Sequence, residues 1–308
     1  QGLRQRLYLA KSKKLVEKIL GLLKKKGDIH IQNVWFFFQK WVDKEHELRD
    51  AIKQVVFGVV YAKSAKSLAK DLKKPVEFAQ ELIEKMFARF KKGAAWLNWT
   101  KNHAAEHGYT YAPTGMRRNL HGVLTGVQSI VSAMIRKAAN APIQGLASQS
   151  GITAARLITL NAYQAFVDLG YIDEDATDMP VDVVKAVHDA LHGEPTYEVL
   201  LTYLHVVQWT ATYGVTAYYE KEFGLKFTVE PEIEMEIGAS EDNMHKWNWT
   251  EDHLFDIIKQ SLNEQKEIGY LKNVDKAYDK VMAAYKDPKI RRYLEKHYPI
   301  LGVVKERT

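Results

Sequence analysis

Cysteine is absent from all 308 residues, so disulfides, thiolate zinc sites and a cysteine nucleophile are excluded. Long apolar runs are absent as well. The longest, at residues 34–38 and 55–62, fall far short of the roughly 20 residues that cross a bilayer. The opening Gln1-Gly2-Leu3-Arg4 has neither a signal-peptide pattern nor an initiating Met, as expected of a processed, spliced or trimmed chain. The sequence contains no internal repeat, no low-complexity linker and no Gly-Lys-Ser/Thr phosphate loop. What is present suffices for one large domain or two ordinary ones: 46% hydrophobic residues and an ordinary 27% charged. The net charge of +6 permits nucleic-acid binding without requiring it.

Most of the chain reads as helix. Residues 15–23 are apolar at helical spacing and edged with Lys, and Gly27-Asp28-Ile29-His30 breaks that pattern. A second helical stretch covers residues 45–70, interrupted at Ala62-Lys63-Ser64. Pro75 suits the first turn of the next helix, where its missing N–H is not needed; that helix is predicted through Phe87 and Phe90 to Gly93. Tyr109-Thr110-Tyr111-Ala112-Pro113 alternates before Thr114-Gly115 and predicts a hairpin. Residues 127–166 return to helix, broken at Asn140-Ala141-Pro142, and residues 173–180 form an acidic loop. Residues 181–187 predict a short buried strand with His188-Asp189 at the following turn. Residues 198–223 predict helix, 227–237 an alternating strand, and the tail from Thr250 charged helices. The expected fold class is α+β, mostly helical.

One constellation carries chemistry. Arg49, Lys53, Phe57 and Tyr61 stand four residues apart, so each advances about 40° around a 3.6-residue helix and all four share one broad stripe. Two cations at one end suit a triphosphate through charge-assisted hydrogen bonds. Two aromatics at the other suit base stacking. The same spacing also fits a surface helix with basic residues and a buried aromatic edge.

Other segments decide between these readings. Arg136-Lys137-Ala138-Ala139-Asn140-Ala141-Pro142-Ile143-Gln144-Gly145 resembles the family A (polymerase I-like) DNA polymerase signature of Arg, Asn and Pro-x-Gln-Gly. Val187-His188-Asp189 resembles the palm motif of that family, and Gly27-Asp28-Ile29-His30 its Gly-x-Asp-Ile-His stretch. Residues 61–69, Phe87-Ala88-Arg89-Phe90, Gly115-Met116-Arg117-Arg118 and residues 233–238 fall in the same order. The resemblance covers roughly residues 1–250. It implies polymerase fingers at 11–125, a palm with a small antiparallel sheet at 126–250 and a remnant of the first palm motif at 1–10; the charged helical pattern of 251–308 forms an extension beyond it.

The resemblance also implies roles. His30, Arg49 and Lys53 would hold a dNTP triphosphate, with Lys53 catalytic beside Asp189. Phe57 would pack on the nucleotide sugar and base, and Tyr61 would stack at the template side of the nascent pair. Arg117, Arg136, Asn140, Gln144 and His188 would hold primer–template DNA, small residues letting the backbone approach the duplex while Asn and Gln reach a minor groove whose acceptors are alike for all pairs. Asp189 would bind Mg²⁺, one of two ions in an in-line nucleotidyl transfer. Cytoplasmic location follows, in a bacterial host if the chain is viral.

The chain departs from the pattern at Ala62, Gln149 and Ala190, where the family has Gly, Asp and Glu. Gln1-Gly2-Leu3-Arg4 resembles the tail of Asp-x-Ser-Gln-x-Glu-Leu-Arg, with Leu3 near the place of the Glu. The expectation is that a second polypeptide or upstream segment supplies the other Asp, the thumb and a 3′–5′ exonuclease. A degenerate DNA-binding or accessory subunit is the alternative. His103-Ala104-Ala105-Glu106-His107 matches an inverted zinc-protease pattern but lacks a convincing third ligand and lies within the fingers resemblance. Beyond Thr250 packing is expected, with partner or DNA contact as alternatives.

Overall fold

The computed structural model describes residues 29–43, 45–187, 190–227, 229, 233–236, 244–247 and 254–299. They fall into two compact units, one reaching Gln149 and the other starting at Ser150.

The first unit opens with α1 (Ile29–Phe38), α2 (Glu47–Val60), α3 (Ala65–Leu72) and α4 (Val76–Arg89). Apolar residues recur at helical spacing and meet in one core: Val34 and Phe37 from α1, Ile52, Val55 and Val59 from α2, Leu68 from α3, Leu82 and Met86 from α4. Each such side chain contributes about 1.5–3 kcal/mol when fully buried. α5 (Lys91–His107) ends at Gly108, whose φ of +72° is left-handed, and the antiparallel hairpin β1 (Tyr109–Tyr111) and β2 (Arg117–Asn119) follows. Ala104, Leu120, Val123 and Ala138 form a second, smaller core.

The long α6 (Gln128–Leu169) begins in the first unit and ends in the second. The second unit continues with the antiparallel pair β3 (Val181–Val187) and β4 (Ala190–Pro195), then α7 (Leu200–Trp209), a π-helical turn (Thr210–Gly214) and α8 (Val215–Phe223) without interruption. A third antiparallel pair, β5 (Ile233–Glu236) and β6 (Met244–Trp247), precedes α9 (Leu254–Glu267), α10 (Val274–Lys286) and α11 (Pro288–His297). Phe166, Trp209, Tyr219 and Tyr298 are fully buried here.

The C-terminal helices pack on this unit, as expected. Tyr298 is completely buried and its hydroxyl donates to the Asn161 carbonyl at 3.1 Å. Tyr293 donates to Asp168 at 2.8 Å, and Lys280 pairs with Glu198 at 2.5 Å. His205, buried in α7, has Nδ1 3.2 Å from the Tyr298 carbonyl. Facing a carbonyl, that nitrogen must be the donor. Burial pushes the His205 pKa down to about 4, partly offset by that hydrogen bond, so the ring is neutral at pH 7.

The fold is α+β and mostly helical, and its sheets are two-stranded and antiparallel among the described residues. Three local expectations are corrected. α6 runs through Pro142 without a break. An internal proline removes one hydrogen bond and costs about 3 kcal/mol, but Ala138, Ala139 and Pro142 are buried, and burial of this face outweighs the local loss. The helix started by Pro75 ends at Arg89, and Gly93 belongs to α5. Phe227 and Val229, expected in the strand of residues 227–237, are not in a described strand, and the Phe227 ring packs at 5.1 Å on Tyr219; the described strand there is Ile233–Glu236. The helix at 15–23 and the turn at His188-Asp189 lie outside the described residues. No described helix is long and apolar enough to cross a membrane.

Candidate nucleotide and nucleic-acid site

α2 is two-faced. Ile52, Val55, Gly58 and Val59 are buried, whereas Lys53 is exposed and Phe57 and Tyr61 are 42% and 37% exposed. The aromatic edge therefore points outward, and the reading of α2 as a surface helix with a buried aromatic edge is overturned. Phe57 and Tyr61 stack, with centroids 6.2 Å apart and planes at 15°. α1 brings His30 to the same row, 6.0 Å from Phe57. Arg49, half-buried in the first turn, lies 3.5 Å from Asp50. His46 caps the helix by accepting from the Leu48 N–H at 3.1 Å.

The other end of α2 fixes Tyr61. The Lys63 N–H donates to the Gly58 carbonyl and the Ala62 N–H to the Val59 carbonyl, at 2.8 and 3.0 Å. This is a Schellman closure, whose left-handed residue is usually Gly. Here it is Ala62, at φ +54°, so one departure noted in the sequence falls where a side chain is strained. Gly58 has no such freedom to spare: a Cβ there would lie 3.2 Å from Leu68 of α3. Ser64 restarts the chain as the cap of α3, its Oγ accepting from the Ser67 N–H at 3.2 Å.

Two hollows flank Tyr61. One, of about 640 Å³, is lined by Lys53, Gln54, Phe57, Gly58, Tyr61, Lys63 and Asp71. The other, of about 620 Å³, joins Tyr61, Ala62, Lys63, Ser64 and Ser67 to Ala133, Arg136, Lys137 and Asn140 of α6. Arg136 and Lys137 are exposed. Asn140 Oδ1 is buried with no hydrogen-bond partner among the described residues, and a buried carbonyl oxygen of this kind favours a donor from a ligand or water.

The family A DNA polymerase model matches residues 6–241, most of the chain. The chain belongs to DNA polymerase family A. Thermostable DNA polymerase I of Thermus aquaticus is 31% identical over 176 residues, which cover 57% of this chain and 20% of that protein. A DNA polymerase of Bacillus phage SP01 is 34% identical over 120 residues, 37% of this chain and 13% of that one. Among solved structures, the POL domain of Pol1 from M. smegmatis, in complex with DNA primer-template and dNTP, is similar at 27% identity and a TM-score of 0.50, covering 68% of this chain and 34% of that one. The chain spans about a fifth of the length of the first curated relatives it matches.

Within this family A chain, the structure gathers His30, Arg49, Lys53, Phe57 and Tyr61 about α2, and Arg136 and Asn140 beside Tyr61. Gln144, although exposed, lines neither hollow, nor does Arg117, whose guanidinium lies over the Tyr109 ring at 3.9 Å. His188 and Asp189 lie outside the described residues; β3 and β4 pair Val187 with Ala190 on either side of them. No three described His, Asp or Glu side chains converge to hold a metal ion. His103 of the zinc-like pattern sits instead among aromatic rings. The small residues of α6 face protein rather than open space: Ala138 and Ala139 are fully buried, and a Cβ on Gly145 would meet Met116 Cε at 2.9 Å. Lys63, Ser64, Ser67 and Lys137 line the cleft without having been singled out as site residues. Their signals were the helix break at Ala62 and the adjacency of Lys137 to Arg136.

Proposed function

We propose that this chain is the nucleotide- and template-handling part of a DNA-directed DNA polymerase, transferring a nucleotide from dNTP to a primer 3′-hydroxyl. The carrying observation is the junction at Tyr61: an exposed aromatic stack on a helix with Arg49 and Lys53 opens, at its other side, on a cleft with Arg136, Lys137 and Asn140. Charged donors beside an aromatic face fit a nucleoside triphosphate, and the basic cleft fits a nucleic-acid backbone. The similar solved structure, a POL domain in complex with DNA primer-template and dNTP, supports the same assignment.

In this reading His30, Arg49 and Lys53 bind the triphosphate, and Lys53 offsets charge on the departing phosphates. Phe57 holds the sugar and base, while Tyr61 covers the template side of the new pair. Arg117, Arg136, Asn140, Gln144 and His188 grip primer–template. Residues 11–125 act as fingers and 126–250 as palm. Asp189 and a second carboxylate, supplied with the thumb and an exonuclease by an upstream segment or second chain, would hold two Mg²⁺. When bound, these ions stabilise the attacking and leaving oxygens. The phage relative supports a bacterial cytoplasm as the workplace.

Primer extension by the assembled polymerase tests this. Asp189→Ala should abolish synthesis while DNA binding survives. Lys53→Ala should raise the dNTP KM or lower kcat by about 10- to 1,000-fold, as loss of a charged transition-state contact does. Unchanged synthesis in Asp189→Ala would favour a degenerate accessory subunit.

A further inference from the structure

A second aromatic surface lies on α5 and the β1–β2 hairpin. Trp99, His103 and His107 are four residues apart on α5 and form one stripe. Strand alternation turns Thr110 into the core and leaves Tyr109 and Tyr111 on the opposite side. The two sets meet: Trp99 stacks on His103 at 5.1 Å and 20°, His107 on Tyr109 at 6.0 Å and 25°, and His103 lies 5.0 Å from Tyr109. Arg117 covers Tyr109 and is tied to Asn119 by an Nε–Oδ1 hydrogen bond of 2.9 Å.

Mutual packing explains part of this cluster, since an aromatic pair contributes about 0.5–1.5 kcal/mol beyond its buried area. It does not explain why large rings stay wet. Trp99 is 58% and Tyr111 42% exposed. The surrounding charge is one-sided: residues 91–119 carry Lys91, Lys92, Lys101, Arg117 and Arg118 against the single carboxylate of Glu106. The hairpin is also anchored to α6, with Met116 and Ala112 against Gly145 and Thr114 hydrogen-bonded to Gln149. It is thus continuous with the helix that carries Arg136 and Asn140.

We propose that this surface is a stacking platform for single-stranded DNA, Trp99 and Tyr111 taking unpaired bases and Arg117 and Arg118 the phosphates. Rings recognise any base by its π face, and cations track the backbone. A protein partner with a proline-rich or acidic segment is the competing occupant. The platform residues line neither hollow beside Tyr61; it shares Arg117 with the proposed primer–template grip, but its stacking rings, Trp99 and Tyr111, have no part in nucleotide transfer.

Binding of the intact chain to a fluorescent 20-nucleotide oligo-dT, to an abasic 20-mer of equal charge and to a blunt duplex tests it by anisotropy. Oligo-dT should bind at least about 10-fold more tightly than the abasic strand, the scale of one or two stacked bases. Trp99→Ala/Tyr111→Ala should remove most of that difference and change duplex affinity less than twofold, while Trp99→Phe/Tyr111→Phe should retain it. Equal affinity of the wild-type chain for oligo-dT and the abasic strand overturns the proposal even if the variants fail to fold. So does an unchanged preference in the alanine variant, which places the base stacking on other residues. No nucleotide is added in these measurements, so failure here leaves the synthesis reading intact, and the reverse.

Discussion

The two units differ in where most of their large rings lie, although Phe37 is buried in the first and Phe223 and Tyr270 are exposed in the second. In the unit ending at Gln149, Trp35, Trp41, Phe57, Tyr61, Trp96, Trp99 and Tyr111 are all more than a third exposed. In the unit beginning at Ser150, Phe166, Trp209, Tyr213, Tyr219 and Tyr298 are buried. A buried ring gives its free energy to folding; an exposed one retains it for a ligand. The contrast places the proposed nucleotide and strand contacts in the first unit, where these rings are open to solvent, and makes the order of the second depend on aromatic packing.

The sharpest way to break this comparison is to truncate one ring on each side. Tyr298→Ala should destabilise the second unit by about 3–5 kcal/mol, the range for large aromatic truncations, seen as a lower urea midpoint. Phe57→Ala should change the unfolding free energy of the first unit by less than about 0.5 kcal/mol, as exposed positions do, yet weaken dNTP binding. Equal stability losses would erase the distinction.

pH provides the next largest effect. The folded His205 pKa of about 4 lies below its ordinary 6.5, so between these values the unfolded chain binds the proton more readily. Stability is therefore full above pH 6.5 and falls as pH drops toward 4, by about 3 kcal/mol in all. His205→Gln should flatten this part of the pH–stability curve measured by urea unfolding.

Smaller effects sharpen the picture of α2. Gly58→Ala sets a helix-propensity gain of about 1 kcal/mol against crowding of Leu68 at 3.2 Å, so stability read in thermal unfolding should stay within about 1 kcal/mol of the wild-type chain. Ala62→Gly should gain up to about 1 kcal/mol by relieving the left-handed strain. A loss there would mean that the Schellman closure does not limit this helix end.

Several of these features were legible in the sequence because they are local. The break at Ala62-Lys63-Ser64 and the turn at Thr114-Gly115 have their own backbone chemistry, and the stripe on α2 follows from spacing alone. Pro142 misled because a local helix breaker was overridden by burial of Ala138 and Ala139. Phe227 misled because alternation cannot tell a ladder position from a ring packed on Tyr219. Periodicity also could not say whether Phe57 and Tyr61 point inward or outward, nor that Ser64 and Lys137, more than seventy residues apart, share a cleft. Those facts depend on how helices meet.

Tyr298 has one more consequence. It lies beyond the residues matched by the family model, yet it fills the space beside Trp209 and supplies the carbonyl that faces His205. The tail is therefore part of the second unit's core and not an addition to its surface. A chain cut at the family boundary would lack the ring beside Trp209 and the carbonyl facing His205, so α7 depends for its packing on a residue 93 positions further along the chain.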